Sequence, residues 1–236
     1  MLSKVMISIL AVFLVAMAGV TTSMAAPSED SMVSALIQLL ATEEEDLLFM
    51  REEEKLARDI YINMYAEWGL DVFSNIALSE QKHMDAIKNL LDKYNLTDPV
   101  TDEDVLDDFV NTYLQKAYVD LMIRGSYSSY AALHVGAEIE EIDIIDLQLA
   151  IGRTDHPDII DTYESLMCGS RNHLRAFVRN INLRGEPYEP VYLVGDEYDG
   201  VYDAIIGSSM ERNCGNSNGE GHRKGKGPHH DRVQLN

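Results

Sequence analysis

Glu80 and His83 stand three residues apart. On a helix that spacing projects both from adjacent turns of one face, so they offer an oxygen and a nitrogen to a common point. Glu54, on a separate periodic segment, also falls at an inward position of its pattern. A bare carboxylate in an apolar core costs several kcal/mol or takes up a proton. A divalent cation shared among several carboxylates removes that cost directly. One Glu on a helix with Glu-x-x-His on its partner is the arrangement two-metal helical bundles use. An isolated Glu-x-x-His is common, and its bland counterpart is a hydrogen-bonded core pair. Its weight here comes from lying on a buried stripe opposite a second stripe that carries its own Glu.

Two further segments complete the donor set. Ser170-x-x-His173 occupies the place where a symmetrical pattern has Glu-x-x-His, and serine is a poor ligand. The preceding segment has two acids at i, i+3, Glu138 and Glu141. The expected ligands are therefore Glu54, Glu80, Glu138, Glu141, His83 and His173. That is the complement of a two-iron site, with the additional acid replacing the missing one. The alternative makes one acid of the 138/141 pair a solvated surface group. Glu52 and Glu53 read as surface acids, Glu53 being the substitute if the register slips by one. Arg58 and Arg171 are candidates to pair with nearby acids behind the ligands. His134, nearly one turn before Glu138, is a weaker candidate, and His222, His229 and His230 fall in a polar tail.

Helices must position these groups. Leu47, Met50, Glu54, Ala57, Tyr61, Met64 and Trp68 recur at alternating steps of three and four, the inward stripe of a long helix that Gly69 ends. Thr42 with Glu45 has the form of a capping box. A second stripe, Phe73, Ile76, Glu80, His83, Ile87, Leu90 and Tyr94, follows after a very short turn and stops at Asn95. Thr101 to Arg124 carries a looser pattern (Val105, Phe109, Tyr113, Ala117, Leu121) and reads as one or two connecting helices. A third long helix spans about Ser128 to Ile151, with Val135, Glu138, Glu141, Ile142, Ile145 and Leu149 near its inner face. Pro157 opens a fourth, whose stripe is Tyr163, Leu166, Ser170, His173 and Phe177, and Gly185 closes it. No strand alternation is strong enough to form a sheet. The expected class is all-α: residues 42–184 as a four-helix bundle of two hairpins joined by a long helical crossover, 185–210 as an extended strap, and 211–236 as a disordered tail.

The 236 residues carry 19 Lys+Arg against 40 Asp+Glu, a net charge of −21. Such a surface repels nucleic acid and anionic lipid and attracts cations. Lys4, an uncharged run from Val5 to Val20 and the small-x-small Ser23-Met24-Ala25 read as a signal peptide over 1–25, followed by a lead over 26–41. An uncleaved anchor is the alternative, although the run is short for a span. The mature chain is expected to be secreted or extracytoplasmic and without a membrane span. Cys168 and Cys214 could pair in an oxidising compartment, but Cys168 reads more readily as a small buried apolar residue.

Glu52-Glu53-Glu54-Lys55-Leu56-Ala57-Arg58-Asp59-Ile60-Tyr61, Phe73-Ser74-Asn75-Ile76-Ala77 and Ser79-Glu80-Gln81-Lys82-His83-Met84 resemble the ferritin-like family catalogued as domain of unknown function 2202. Val135 to Glu141 and Gly169 to Phe177 fit it too, so the resemblance covers about Thr42 to Tyr198. It implies a ferritin-like bundle related to rubrerythrins and bacterioferritins, and no assigned reaction. Ser170 departs from rubrerythrin-like patterns, and no Cys pairs suggest a rubredoxin-type centre. In ferritin-like proteins a tyrosine seven residues after the first Glu sits beside the metals. Tyr61 is thereby a candidate catalytic residue, able to hydrogen-bond a ligand or pass an electron; an ordinary core tyrosine is the alternative. The leading expectation is two divalent ions, iron first with Mn or Zn also accepted, reacting with peroxide or O2. A non-catalytic metal binder and a metal-free structural bundle are the competitors. A homodimer is compatible with the sequence.

Overall fold

The computed structural model describes residues 39–185, 187–212 and 214. Among them the chain is all-helical, with helices α1 (Ala41–Trp68), α2 (Asp71–Tyr94), α3 (Thr112–Gly125), α4 (Ser129–Ile151), α5 (Pro157–Asn182) and α6 (Val201–Gly207), and no strand. α1 packs along α2 and α4 along α5; α1 also meets α4, and α2 meets α5. The result is a helical bundle in which each long helix turns one stripe to a shared interior.

The first hairpin forms as its sequence pattern dictates. The α1 residues from Leu47 to Met64 and the α2 residues from Phe73 to Leu90 that lie on the two stripes are buried. Gly69 ends α1 in the left-handed region at φ 64°, where its N–H bonds the Tyr65 carbonyl. Asn95 ends α2 in the same way at φ 58°. α1 begins at Ala41, and Glu43 Oε2 accepts the Leu40 N–H at 2.7 Å. Glu43, not Glu45, therefore caps the helix.

The stretch after α2 is not helical until Thr112, later than the pattern from Thr101 suggests. The outer face of α1 is cationic, and the acidic stretch 98–111 folds onto it. The Arg51 guanidinium bonds Asp98 and Glu103. Lys55 Nζ reaches Asp59 and the Val105 carbonyl, and Arg58 reaches Asp59, Gln81 and the Glu103 carbonyl. Glu52 accepts the N–H groups of Val110 and Asn111. These bonds compete successfully with helix formation over 101–111. The Asn111 side chain then caps α3 by accepting from Tyr113 and Leu114. Val105 and Tyr113, two members of the expected stripe, stay exposed.

α4 is buried on two faces. One looks into the bundle; the other is covered by residues 188–206, which contribute Tyr188, Leu193 and Ile205 to the core. Glu141 anchors this cover. It accepts the Tyr188 hydroxyl at 2.7 Å and the N–H groups of Val191, Tyr192 and Leu193 at 2.6–3.0 Å. The cover ends in α6, so it is not extended throughout. Beyond it Glu211 pairs with Arg171 and Arg175, and Cys214 is disulfide-bonded to Cys168 on α5. Cys168 is thus half-buried and paired, not a free core thiol.

The expected leader over 1–25, nearly all of the 26–41 lead and most of the 211–236 tail, including His222, His229 and His230, lie outside the described residues. No helix among the described residues is long and apolar enough to cross a membrane. Replacing Glu141 with Ala strands the buried donors of Tyr188 and Leu193 and the partly buried N–H groups of Val191 and Tyr192, and should cost about 3 kcal/mol or more of unfolding free energy. Denaturant unfolding measures that loss, and limited proteolysis should show new cleavage within residues 187–200. A loss below about 1 kcal/mol would mean that Glu141 does not anchor the segment.

Candidate metal centre

Along each long helix the inward stripe changes character at the same level. α1 passes from Leu47 and Met50 through Glu54 to Ala57 and Tyr61; α2 passes from Phe73 and Ile76 through Glu80 and His83 to Ile87 and Leu90. On α4 the polar step is Glu140 and Asp143, between Ala137 and Leu147. On α5 it is Ser170 and His173, between Leu166 and Phe177. The apolar residues on the two sides belong to two separate core clusters. The carboxylates and imidazoles therefore form one polar layer between two greasy ones.

Glu80 is the hub. Its Oε2 lies 2.7 Å from His83 Nδ1, which is also 3.2 Å from Glu54 Oε2. Its Oε1 lies 2.8 Å from His173 Nδ1, which is also 3.4 Å from Glu140 Oε2. Two triads result, Glu54/Glu80/His83 and Glu80/Glu140/His173, each with donor atoms within 4.8 Å of one another. All five residues are at most 8% exposed. Tyr61, wholly buried, donates to Glu140 Oε1 at 2.6 Å and packs on Phe73 and Phe177. Glu53, Glu54, Ala57, Glu80, Ile139, Glu140 and Asp143 line an internal cavity of about 10 Å³, room for roughly one water-sized sphere.

The donor set fits a divalent cation better than it fits a closed hydrogen-bond network. Glu53 Oε2, Glu54 Oε1, Glu80 Oε1, Asp143 Oδ1 and His173 Nδ1 are buried without a hydrogen-bond partner. His173 Nδ1 and Glu80 Oε1 are close yet misaligned for a hydrogen bond, as two donors aimed at a common third atom would be. No Lys or Arg among the described residues forms an ion pair with Glu53, Glu54, Glu80, Glu140 or Asp143. Two imidazoles are the available cations, and they cannot balance five negative groups.

The proton affinities record that shortage. Burial opposes charge on His83, but Glu54 and Glu80 outweigh it and hold its pKa well above the usual value. Burial likewise opposes charge on His173, yet Glu80 and Glu140 push it up to about 10. Burial tends to raise Glu80, but His173 and His83 together draw it far below the carboxylate range. Burial raises Glu54 to about 7, against the pull of His83. Burial and neighbouring acids raise Glu53, Glu140 and Asp143.

The structure brings together Glu54, Glu80, His83 and His173 and places Tyr61 against the layer. It does not bring in Glu138 or Glu141. Glu138 bonds Arg124 at 2.5 Å, and Glu141 is consumed by the C-terminal segment. The expectation for both is corrected: Glu140 is the α4 member of a triad, with Asp143 beside it. Glu53 is a cavity wall and Glu52 a buried acceptor, so neither is a surface acid. His134 packs between Tyr130 and Tyr188, and Arg171 serves Glu211. Ser170 lies between the Leu166 carbonyl and Asp143 Oδ2, within hydrogen-bond reach of both. One signal for the correct α4 register was present. Leu133, Gly136, Glu140, Asp143, Leu147 and Ala150 recur at steps of three and four. Gly136 is required there because a Cβ would lie 2.5 Å from the Phe177 ring.

Residues 43–205 match the family described as an uncharacterized protein domain, DUF2202. The chain belongs to this family. It is 51% identical over 170 residues to an uncharacterized protein, MJ0754, of Methanocaldococcus jannaschii, covering 72% of this chain and 89% of that one. It is also similar to the crystal structure of hypothetical protein MJ0754 from Methanococcus jannaschii, with TM-score 0.70 and 49% identity over 74% of this chain and 97% of that one. Neither description names an activity.

Two predictions follow from the layer. A Cβ on Gly169 would sit 2.5 Å from His83 Nε2, so Gly169→Ala must move the His83 ring. Imidazole NMR resonances should shift strongly for His83 and weakly for His173; equal or absent shifts refute the close approach. The second concerns metal-free protein. Stability contributed by His173 is complete below its ordinary 6.5 and is lost as pH rises towards about 10. Glu54 acts in the same direction between 4.5 and about 7. Glu80 acts oppositely, losing its contribution as pH falls below 4.5. Thermal midpoints in chelator should therefore fall as pH rises from about 5 to 10. Flat or rising midpoints would contradict this charge balance.

Proposed function

We propose that this chain is an exported, ferritin-like protein that holds two divalent metal ions, iron first, and uses them in redox chemistry on peroxide or O2. The observation that carries this reading is the pair of triads sharing Glu80 inside a layer of orphaned carboxylate oxygens. Glu54 and Glu140 from two helices with Glu80-x-x-His83 from a third follow the donor pattern of carboxylate two-metal bundles, and α5 departs from it by offering His173 with Ser170 in the place of a Glu. The two-hairpin packing supports the ferritin-like assignment, with the segment after α5 acting as a strap over α4. The Cys168–Cys214 disulfide agrees with an oxidising compartment and hence with export.

Each residue has a part in the proposal. Glu80 offers one oxygen to each position, Glu54 and His83 serve one, and Glu140 and His173 serve the other. Two redox-active ions bound there would supply two electrons to a small oxidant while the carboxylates absorb the change in charge. Tyr61 orients Glu140 through its hydroxyl and is the buried group best placed to move a proton or an electron at Glu140 Oε1. Mn and Zn suit the same donors.

The tight enclosure favours a second reading, a non-catalytic metal binder, because a cavity of about 10 Å³ leaves little room for an oxidant. Turnover separates the two. Anaerobic Fe(II) titration should saturate at two ions per chain, and peroxide should then give the near-ultraviolet absorption of oxidised iron–carboxylate with repeated turnover under reductant. Saturation followed by a single oxidation favours the binder, and no uptake rejects both. Glu80→Ala should weaken both ions by at least about a hundredfold, whereas Glu138→Gln should leave both in place.

A further inference from the structure

The two triads leave two carboxylates of the layer unused. Glu53 on α1 and Asp143 on α4 are 6% and 5% exposed, each carries a buried, unpartnered oxygen, and both line the small space that Glu54, Glu80 and Glu140 also line. Neither shares an ion pair with a Lys or Arg, and the imidazoles are engaged by the other three acids. The nearest group that Asp143 can bond is the Ser170 hydroxyl. Such a pair is costly as a structural feature alone. An apolar or amide pair of the same size would pack without the unbalanced charge.

The pair also has a direction. Asp146, which lies one turn after Asp143 on α4 and is half-buried, is close enough to Glu53 to act on its proton affinity. Asp146 in turn feels Asp46 and Arg153, whose guanidinium, bound to Asp46 at 2.7 and 2.8 Å, is nearly half exposed. Carboxylates thus run from the solvent-facing side of α4 to the wall of the cavity.

We propose that Glu53 and Asp143, with Asp146 on their solvent side, form an auxiliary divalent-cation site that receives ions on their way to the two triads. The assignment rests on the reading of the triads as a metal centre and adds a third, transient position to it. Glu53 Oε2 and Asp143 Oδ1 hold the arriving ion, and its transfer to Glu54, Glu80 and Glu140 needs no change of oxidation state. The position is selective for divalent cations because two buried carboxylates are left uncompensated by a single positive charge.

The test uses metal-free full-length mature protein and Co(II), whose visible absorption reports the ion in a protein ligand field. Wild type, Glu53→Gln, Asp143→Asn and Glu80→Gln are compared by equilibrium titration and stopped-flow mixing, with circular dichroism and thermal midpoints as the folding check. Gln and Asn keep the size of each side chain, and removing a buried carboxyl that can ionise only at a cost should leave the metal-free midpoint unchanged or higher. Glu53→Gln and Asp143→Asn should still bind two ions but load about tenfold or more slowly, while Glu80→Gln loses equilibrium binding. Wild-type loading rates in both variants, with Glu80→Gln still defective, would overturn the auxiliary site and leave the metal centre standing. Complete loss of binding in folded Glu53→Gln or Asp143→Asn would overturn it too, by making these residues primary ligands. No Co(II) uptake by wild type would remove the metal centre and the auxiliary site together.

Discussion

Five carboxylates meet two imidazoles in a buried layer that contains no other cation among the described residues. That imbalance is the constraint from which the rest of the molecule is best understood. Two long hairpins are needed because no single helix pair can supply donors from four directions. Apolar residues crowd both sides of the layer, and low polarity around it strengthens every charge interaction within. Glu80 is held by a histidine on each side. Its neighbours keep protons that they would lose in water, and metal binding at such a site must displace those protons.

The outer parts of the chain serve the same layer indirectly. The acidic stretch after α2 closes over Arg51, Lys55 and Arg58, so that α1 is surrounded and its inner stripe fixed in rotation. The C-terminal segment does the same for α4 through Glu141, and the disulfide ties its far end to α5. α1 and α4 carry Glu53, Glu54, Glu140 and Asp143, the acids with the least cationic compensation. Their helices are accordingly those most firmly wrapped. Small residues finish the fit, since Gly169 admits the His83 ring and Gly136 the Phe177 ring.

How far the sequence spoke depended on what each helix faces. α2 and α5 have a dry side and a wet side, and their stripes, including Glu80, His83, Ser170 and His173, were readable from periodicity. α1 was readable for a different reason. Its outer face is buried too, but by charge pairs, so the apolar stripe still stood out against Arg51, Lys55 and Arg58. That same view made Glu52 and Glu53 look like surface acids. α4 was not readable, because both faces are apolar and its acids fall on every side. Glu138 and Glu141 had the right spacing for ligands, but they answer Arg124 and the backbone of residues 191–193. Only the partner surfaces, distant in sequence, decide which face of such a helix is inside. The loop at 101–111 was missed for a similar reason: its helical pattern was outweighed by the cations of α1.

Anomalous scattering at the metal absorption edge, from crystals of protein purified without chelator, tests the central claim most directly. The account predicts two peaks within the layer, both bonded to Glu80, one joined by Glu54 and His83 and the other by Glu140 and His173. A layer free of anomalous density after soaking with Fe(II) or Mn(II), or peaks at Glu138 and Glu141 instead, would contradict it.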